Sequence, residues 1–140
     1  RTSTDWSRSI DLFEMPISQG HPIVPYKYTQ QQYLDLLRKS KFGLCLPGYG
    51  PKCNREIELM ALGVVPIITP GVDLNYFNPL IKDKHYILVD TPQKLKSTIA
   101  DINQTQWEEM SKSCMDWFKD NCSIQGSFDT TQKILTTISL

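Results

Sequence analysis

Lys52, Arg55 and Glu58 follow a loop with glycines at positions 48 and 50, in the stretch LPGYGPKCNREIELMALGVVPII at residues 46–68. Two basic groups beside such a loop suit an anion. Glycine lets backbone N–H groups come close to a ligand, and the free N–H groups that open a following helix add partial positive charge. Basic side chains at a helix start oppose the macrodipole, a conflict that a bound diphosphate relieves. Arg55 and Glu58 are three apart and so share a helix face. With Arg55 on a phosphate, Glu58 lies one turn further, where its carboxylate can accept hydrogen bonds from both hydroxyls of a ribose. An isolated Arg-x-x-Glu reads instead as a surface ion pair contributing about 0.2–0.5 kcal/mol. The loop and the apolar runs around this one favour the ligand.

Those runs are the elements that must position the site. FGLCL, VVPII and HYILV, at residues 42–46, 64–68 and 85–89, are apolar without alternation, as expected of strands buried on both faces. TQQQYLDLLRKSK predicts a helix with Thr29 as N-cap and with Tyr33, Leu36 and Leu37 at helical spacing. NREIELMAL predicts a second, turning Ile57, Met60 and Ala61 to the core and ending at Gly63. Helix, strand, helix, strand with short connections is the rhythm of a parallel α/β sheet, whose ligand crevice lies at the carboxyl ends of its strands. The loop at residues 47–53 leaves one such end. Residues 10–13 add a short candidate strand, and residues 18–29 form a loop with Pro22 and Pro25. NYFNPLIKD is read as a loop with room for a short helix. Three helices close the chain, in PQKLKSTIADI, in TQWEEMSKSCMDWFKDNC and near FDTTQKIL.

The 140 residues suit a single domain, small for a complete two-substrate enzyme and closer to half of one. Fifteen basic and fifteen acidic residues leave no global field to attract nucleic acid or an anionic membrane. No apolar stretch approaches the roughly 18 residues a membrane span needs. Cys45, Cys53, Cys114 and Cys122 form no C-x-x-C pair and have no histidine at ligand spacing, which argues against zinc. Cys114 and Cys122 could pair only in an oxidising compartment and otherwise are free thiols. Asn103 and Asn121 begin N-glycosylation patterns. The compartment stays open.

The stretch SKFGLCLPGYGPKCNREIELMALGVVPII, residues 40–68, resembles the C-terminal half of exostosin-like glycosyltransferases. There a strand ending in a Pro/Gly turn precedes an Arg-x-x-Glu helix and then G-x-V-P-I-I. The likeness loosens toward residue 89 and is absent from the C-terminal helices. It implies a Rossmann-like parallel sheet flanked by helices, the C-terminal domain of a GT-B fold. That domain would hold a nucleotide-diphosphate sugar, a UDP-sugar foremost. Arg55 matches the phosphate-contacting arginine, and Glu58 the ribose-binding glutamate. The pocket for a glycan or protein acceptor, and usually the general base, would come from an N-terminal GT-B domain or a partner subunit outside these residues. No catalytic residue is therefore assigned, and the isolated chain is not expected to transfer sugar. Retaining GT-B enzymes commonly carry an acidic residue eight positions before the ribose glutamate. Gly50 stands there, which favours the inverting type.

Lys52, Gly48 and Gly50 complete the expected phosphate contacts. Tyr49 is placed either to stack on a uracil or to shape the loop. Asp73 and Asn75 follow VVPIIT at the carboxyl end, where the donor sugar would lie, although turn chemistry explains them as well. His21 is a base, a donor-phosphate contact or merely exposed. Trp107 and Trp117 fall at core-like spacing. No carboxylate pair stands out for Mg²⁺, and Lys52 and Arg55 are expected to neutralise a leaving diphosphate without metal. The alternative is a non-catalytic α/β module that binds nucleotides or partners. A response-regulator or flavodoxin-like protein would need clustered acidic residues or a Ser/Thr-rich phosphate loop, which the sequence lacks.

Overall fold

The computed structural model describes residues 28–47, 52 and 54–138. The candidate strand at residues 10–13, His21, Gly48, Tyr49, Gly50 and Cys53 lie outside the described residues. Five helices and a three-stranded sheet follow in the order α1 (Gln30–Arg38), β1 (Phe42–Cys45), α2 (Arg55–Ala61), β2 (Val65–Ile68), β3 (Ile87–Leu88), α3 (Pro92–Ala100), α4 (Gln104–Asn121) and α5 (Ile124–Thr137). The sheet is parallel, in the order β1-β2-β3, with Phe42 opposite Val65 and Ile67 opposite Ile87. This mixed α/β arrangement is compatible with a Rossmann-like fold. Among the described residues no helix is long and apolar enough to cross a membrane.

Local chemistry sets the boundaries. The Thr29 hydroxyl accepts the Gln32 N–H at 3.2 Å while the Gln32 side chain accepts the Thr29 N–H at 2.9 Å, a capping box that starts α1. α2 ends where Gly63 takes φ 72°. Its N–H donates to the Met60 carbonyl and that of Val64 to the Leu59 carbonyl, so a left-handed glycine satisfies the last carbonyls and turns the chain into β2. Pro66 sits inside the central strand, where a missing N–H would ordinarily break the ladder. Here the Val65 N–H donates to the Lys41 carbonyl on the β1 side. Alternation then turns the Pro66 nitrogen toward β3, whose pairing begins only at Ile67.

Two apolar clusters hold the sheet. Val65, Ile67, Ile87 and Val89 pack with Met60 of α2 and with Met110, Cys114 and Trp117 of α4. Cys45, Leu59, Val64 and Ile68 form the second, with Leu37 of α1 against it. α2 thus contributes adjacent residues, Leu59 and Met60, to both. Leu59 lies over Gly43, where an added Cβ would fall 2.3 Å from its Cδ2. Glycine in β1 is what lets α2 settle on the strand.

Several expectations need correction. Only β2 is buried throughout. Three of the four β1 residues are half-buried, and Leu88 of β3 is 39% exposed between buried Ile87 and Val89. HYILV therefore alternates between buried and more exposed positions rather than being covered on both faces, and its strand portion, β3, is an outer strand of the sheet among the described residues. The core side of α2 carries Glu56, Leu59 and Met60, whereas Ala61 is exposed and Ile57 half-buried. Leu36 of α1 is also exposed. NYFNPLIKD forms no helix. One open alternative resolves as favoured: Cys114 and Cys122 are free thiols, eight positions apart from α4 to its C-cap, or about 12 Å of helix rise, too far to bridge.

Candidate functional site

β1 ends at Cys45 and β2 at Ile68, and the Thr69 hydroxyl, buried, donates to the Cys45 carbonyl at 2.9 Å. This bond ties the two carboxyl ends together and fixes the floor from which α2 and the loop after β2 rise. Of the side chains expected at the site, Lys52, Arg55, Glu58, Asp73 and Asn75 are among the described residues. Arg55 and Glu58 are both exposed on α2, as their spacing requires. Arg55 Nη1 donates to the Leu44 carbonyl at 3.4 Å. That contact places its guanidinium at the carboxyl end of β1. Arg55 and Glu58 are not among the ion pairs that the described residues make, which are Arg38–Asp35, Lys82–Asp83 and Lys94–Asp90.

Glu58 is approached instead by Tyr33, whose hydroxyl lies 3.4 Å from Oε2. Partial burial pushes the Tyr33 phenol above its ordinary value; nearby Arg55 opposes the rise and Glu58 reinforces it. The phenol remains a neutral donor. Tyr33 was predicted only as an apolar-face residue of α1. Its place in the site depends on how α1 packs beside α2, which helical spacing alone does not reveal.

Lys52 stands on the other flank. Its ammonium nitrogen lies 3.6 Å from the centroid of the Tyr76 ring and 3.5 Å from the Asn75 carbonyl. The Tyr76 hydroxyl donates to Glu56, a fully buried carboxylate on the inner face of α2. Of the two residues expected near a donor sugar, Asp73 accepts the Asn75 N–H at 2.8 Å, a turn-forming bond, and Asn75 is exposed. The contacts form two groups: Arg55, beside the Leu44 carbonyl, with Glu58 and Tyr33 on one flank of α2, and Lys52 with Asn75 and Asp73 at the loop after β2.

α2 has only seven residues, with Glu56 and Glu58 in its first turn. Its dipole is short, so attraction for an anion rests on the Lys52 and Arg55 charges rather than on the helix end. Asn54, its N-cap, makes no side-chain capping bond. Glu56 and Tyr76 were missed in the sequence. The signal was a lone carboxylate beside Arg55, indistinguishable from a solvent-facing glutamate until the helix rotation was known.

Other groups are already engaged. Trp107 Nε1 donates to the Lys41 carbonyl and Trp117 Nε1 to the Asn78 carbonyl, so both indoles are structural, as expected. Asn103 caps α4 and Asn121 bonds Trp117 and Asn78. Burial pushes the Cys114 thiol up to about 12, which makes it a poor nucleophile. A surface cavity of about 550 Å³, lined by Asp83, Lys84, Asp101 and Glu109 among others, opens toward the amino end of the sheet and touches none of the expected site residues. No protein-family model matches the sequence, and a search of curated proteins finds no match.

Proposed function

We propose that the chain is the donor-binding half of an exostosin-like, GT-B glycosyltransferase, with a nucleotide-diphosphate sugar lying across the carboxyl ends of β1 and β2. The observation that carries this reading is the pair Arg55 and Glu58, both exposed, on one helix face and not spent on each other. Arg55 and Lys52 receive the diphosphate; Glu58 accepts from the ribose hydroxyls. The Arg55–Leu44 bond is long enough at 3.4 Å that a phosphate oxygen replaces it at a gain. As the sugar is transferred, negative charge grows on the leaving diphosphate, and the same two cations stabilise it. The exposed Asn75 side chain is set to meet sugar hydroxyls. The acceptor pocket and the general base belong to an N-terminal domain or a partner subunit, and inversion at the anomeric carbon follows from attack of the acceptor hydroxyl opposite the leaving group.

Titration of UDP and other nucleoside diphosphates into the chain, with Arg55→Ala and Glu58→Ala beside it, tests the reading. Loss of a charge-assisted hydrogen bond should weaken binding by about 1.5–3 kcal/mol, roughly 10- to 150-fold. Both positions are exposed, so stability should change by no more than about 0.5 kcal/mol. Absence of binding at millimolar nucleotide, or undiminished binding by Glu58→Ala, contradicts it. Nucleotide binding without transfer when a complete acceptor half is supplied marks a non-catalytic module.

A further inference from the structure

The contacts of Lys52 differ from those of an ordinary surface lysine. Its ammonium rests 3.6 Å from the centroid of the Tyr76 ring, against the ring's negative π face. The ring itself is fixed on two sides. Its hydroxyl donates to fully buried Glu56, next in sequence to Arg55. Its plane meets Trp117 edge-on, with centroids 5.2 Å apart at 67°. The following residues are fastened to the same helix: Trp117 Nε1 donates to the Asn78 carbonyl at 3.1 Å, and the Asn78 amide donates to Asn121. A long flexible cation is thereby held over a rigid surface. That surface is bonded to the helix that carries Arg55 and Glu58.

We propose that Tyr76 is a positioning residue for the donor diphosphate, its ring seating the Lys52 ammonium and its hydroxyl fixing that seat, through Glu56, at a set distance from Arg55. The inference rests on the donor-site reading above. In the free protein the ammonium is 3.5 Å from the Asn75 carbonyl, a weak contact at the limit of a hydrogen bond. A phosphate oxygen displaces that carbonyl while the ring contact persists, so little side-chain entropy is lost on binding. The Glu56 side chain is buried and accepts from Tyr76 on the inner face of α2.

A double-mutant cycle read by UDP titration, with melts alongside, tests the seat. Tyr76→Leu and Lys52→Ala should each weaken UDP by about tenfold, and the double variant should bind no more weakly than Lys52→Ala alone. Tyr76→Leu also removes a contact with Trp117; should it fail to fold, Tyr76→Phe replaces it in the cycle. Tyr76→Phe should lower affinity about threefold when Lys52 is present and not at all in Lys52→Ala. Equal losses in both backgrounds are what a merely structural role produces, and they overturn the proposal. So does wild-type affinity in the Tyr76 variants. If Arg55→Ala weakens UDP while the Tyr76 variants do not, the seat fails and the donor site stands. If wild type does not bind UDP at millimolar concentration, both fail together.

Discussion

The Tyr33 hydroxyl meets Glu58 Oε2 at 3.4 Å, joining α1 across 25 positions of sequence to α2, the helix that carries Arg55 and Glu58. One hydroxyl does not exhaust a carboxylate, which offers about four acceptor sites. Tyr33 therefore orients Glu58 while leaving room for a ribose diol. Tyr33→Phe removes the orienting bond and should weaken UDP binding by about 1 kcal/mol, near fivefold, while stability, as for Glu58→Ala, changes by no more than about 0.5 kcal/mol because the bond is long and exposed. Calorimetric titration checks the first and denaturant melts the second. Unchanged or tighter binding would show that the phenol merely competes for Glu58.

Gly43 and Leu59 give a test of the scaffold. Leu59 is fully buried, so its methyl groups cannot swing away from an alanine at position 43, whose Cβ would lie 2.3 Å and 2.5 Å from them. Gly43→Ala should destabilise the fold by about 1–3 kcal/mol in urea melts. Shortening the opposing side chain in Gly43→Ala/Leu59→Val should recover part of that loss. A neutral Gly43→Ala would mean that α2 does not sit on β1 as described.

His85 makes stability depend on pH. It is buried, and its Nδ1 accepts the Ile81 N–H at 2.9 Å, which suits the neutral ring. Burial lowers its folded-state value below that of an ordinary histidine, and the Lys84 charge acts in the same direction. The unfolded chain then binds the proton more readily. Stability is full above the ordinary value of about 6.5 and falls as pH drops from there through the lower folded value. Urea melts between pH 7 and pH 5 should show this decline. His85→Gln, which retains an acceptor for Ile81, should flatten it; an equal slope in the variant would place the proton elsewhere.

Most of the framework was legible because it is written in local signals. Thr29 with Gln32 caps α1, Gly63 ends α2 and the apolar run at residues 64–68 becomes the buried central strand. Helix rotation and sheet order were not, because they depend on packing between distant segments. Ala61 faces solvent and Glu56 the core because Leu59 settles on Gly43, a contact made across 16 positions. HYILV reads as an unbroken apolar run, yet its place beside β2 at the end of the sheet leaves Leu88 exposed. Within the site, spacing placed Arg55 and Glu58 on one exposed face. The supporting aromatic residues were hidden: Tyr33 precedes the motif by 22 positions and Tyr76 follows Arg55 by 21.

Amide chemical shifts of the ¹⁵N-labelled chain, followed as UDP is added, test the donor site most directly. A nucleotide bound by Lys52, Arg55 and Glu58 should shift amides at residues 44–46, 54–58 and 72–76, with Glu58→Ala raising the concentration needed by about tenfold or more. Amides at Asp83, Lys84 and Glu109, beside the cavity at the amino end, should stay in place. No shift at millimolar UDP, or shifts confined to that amino-end cavity, would contradict a nucleotide-diphosphate site on α2.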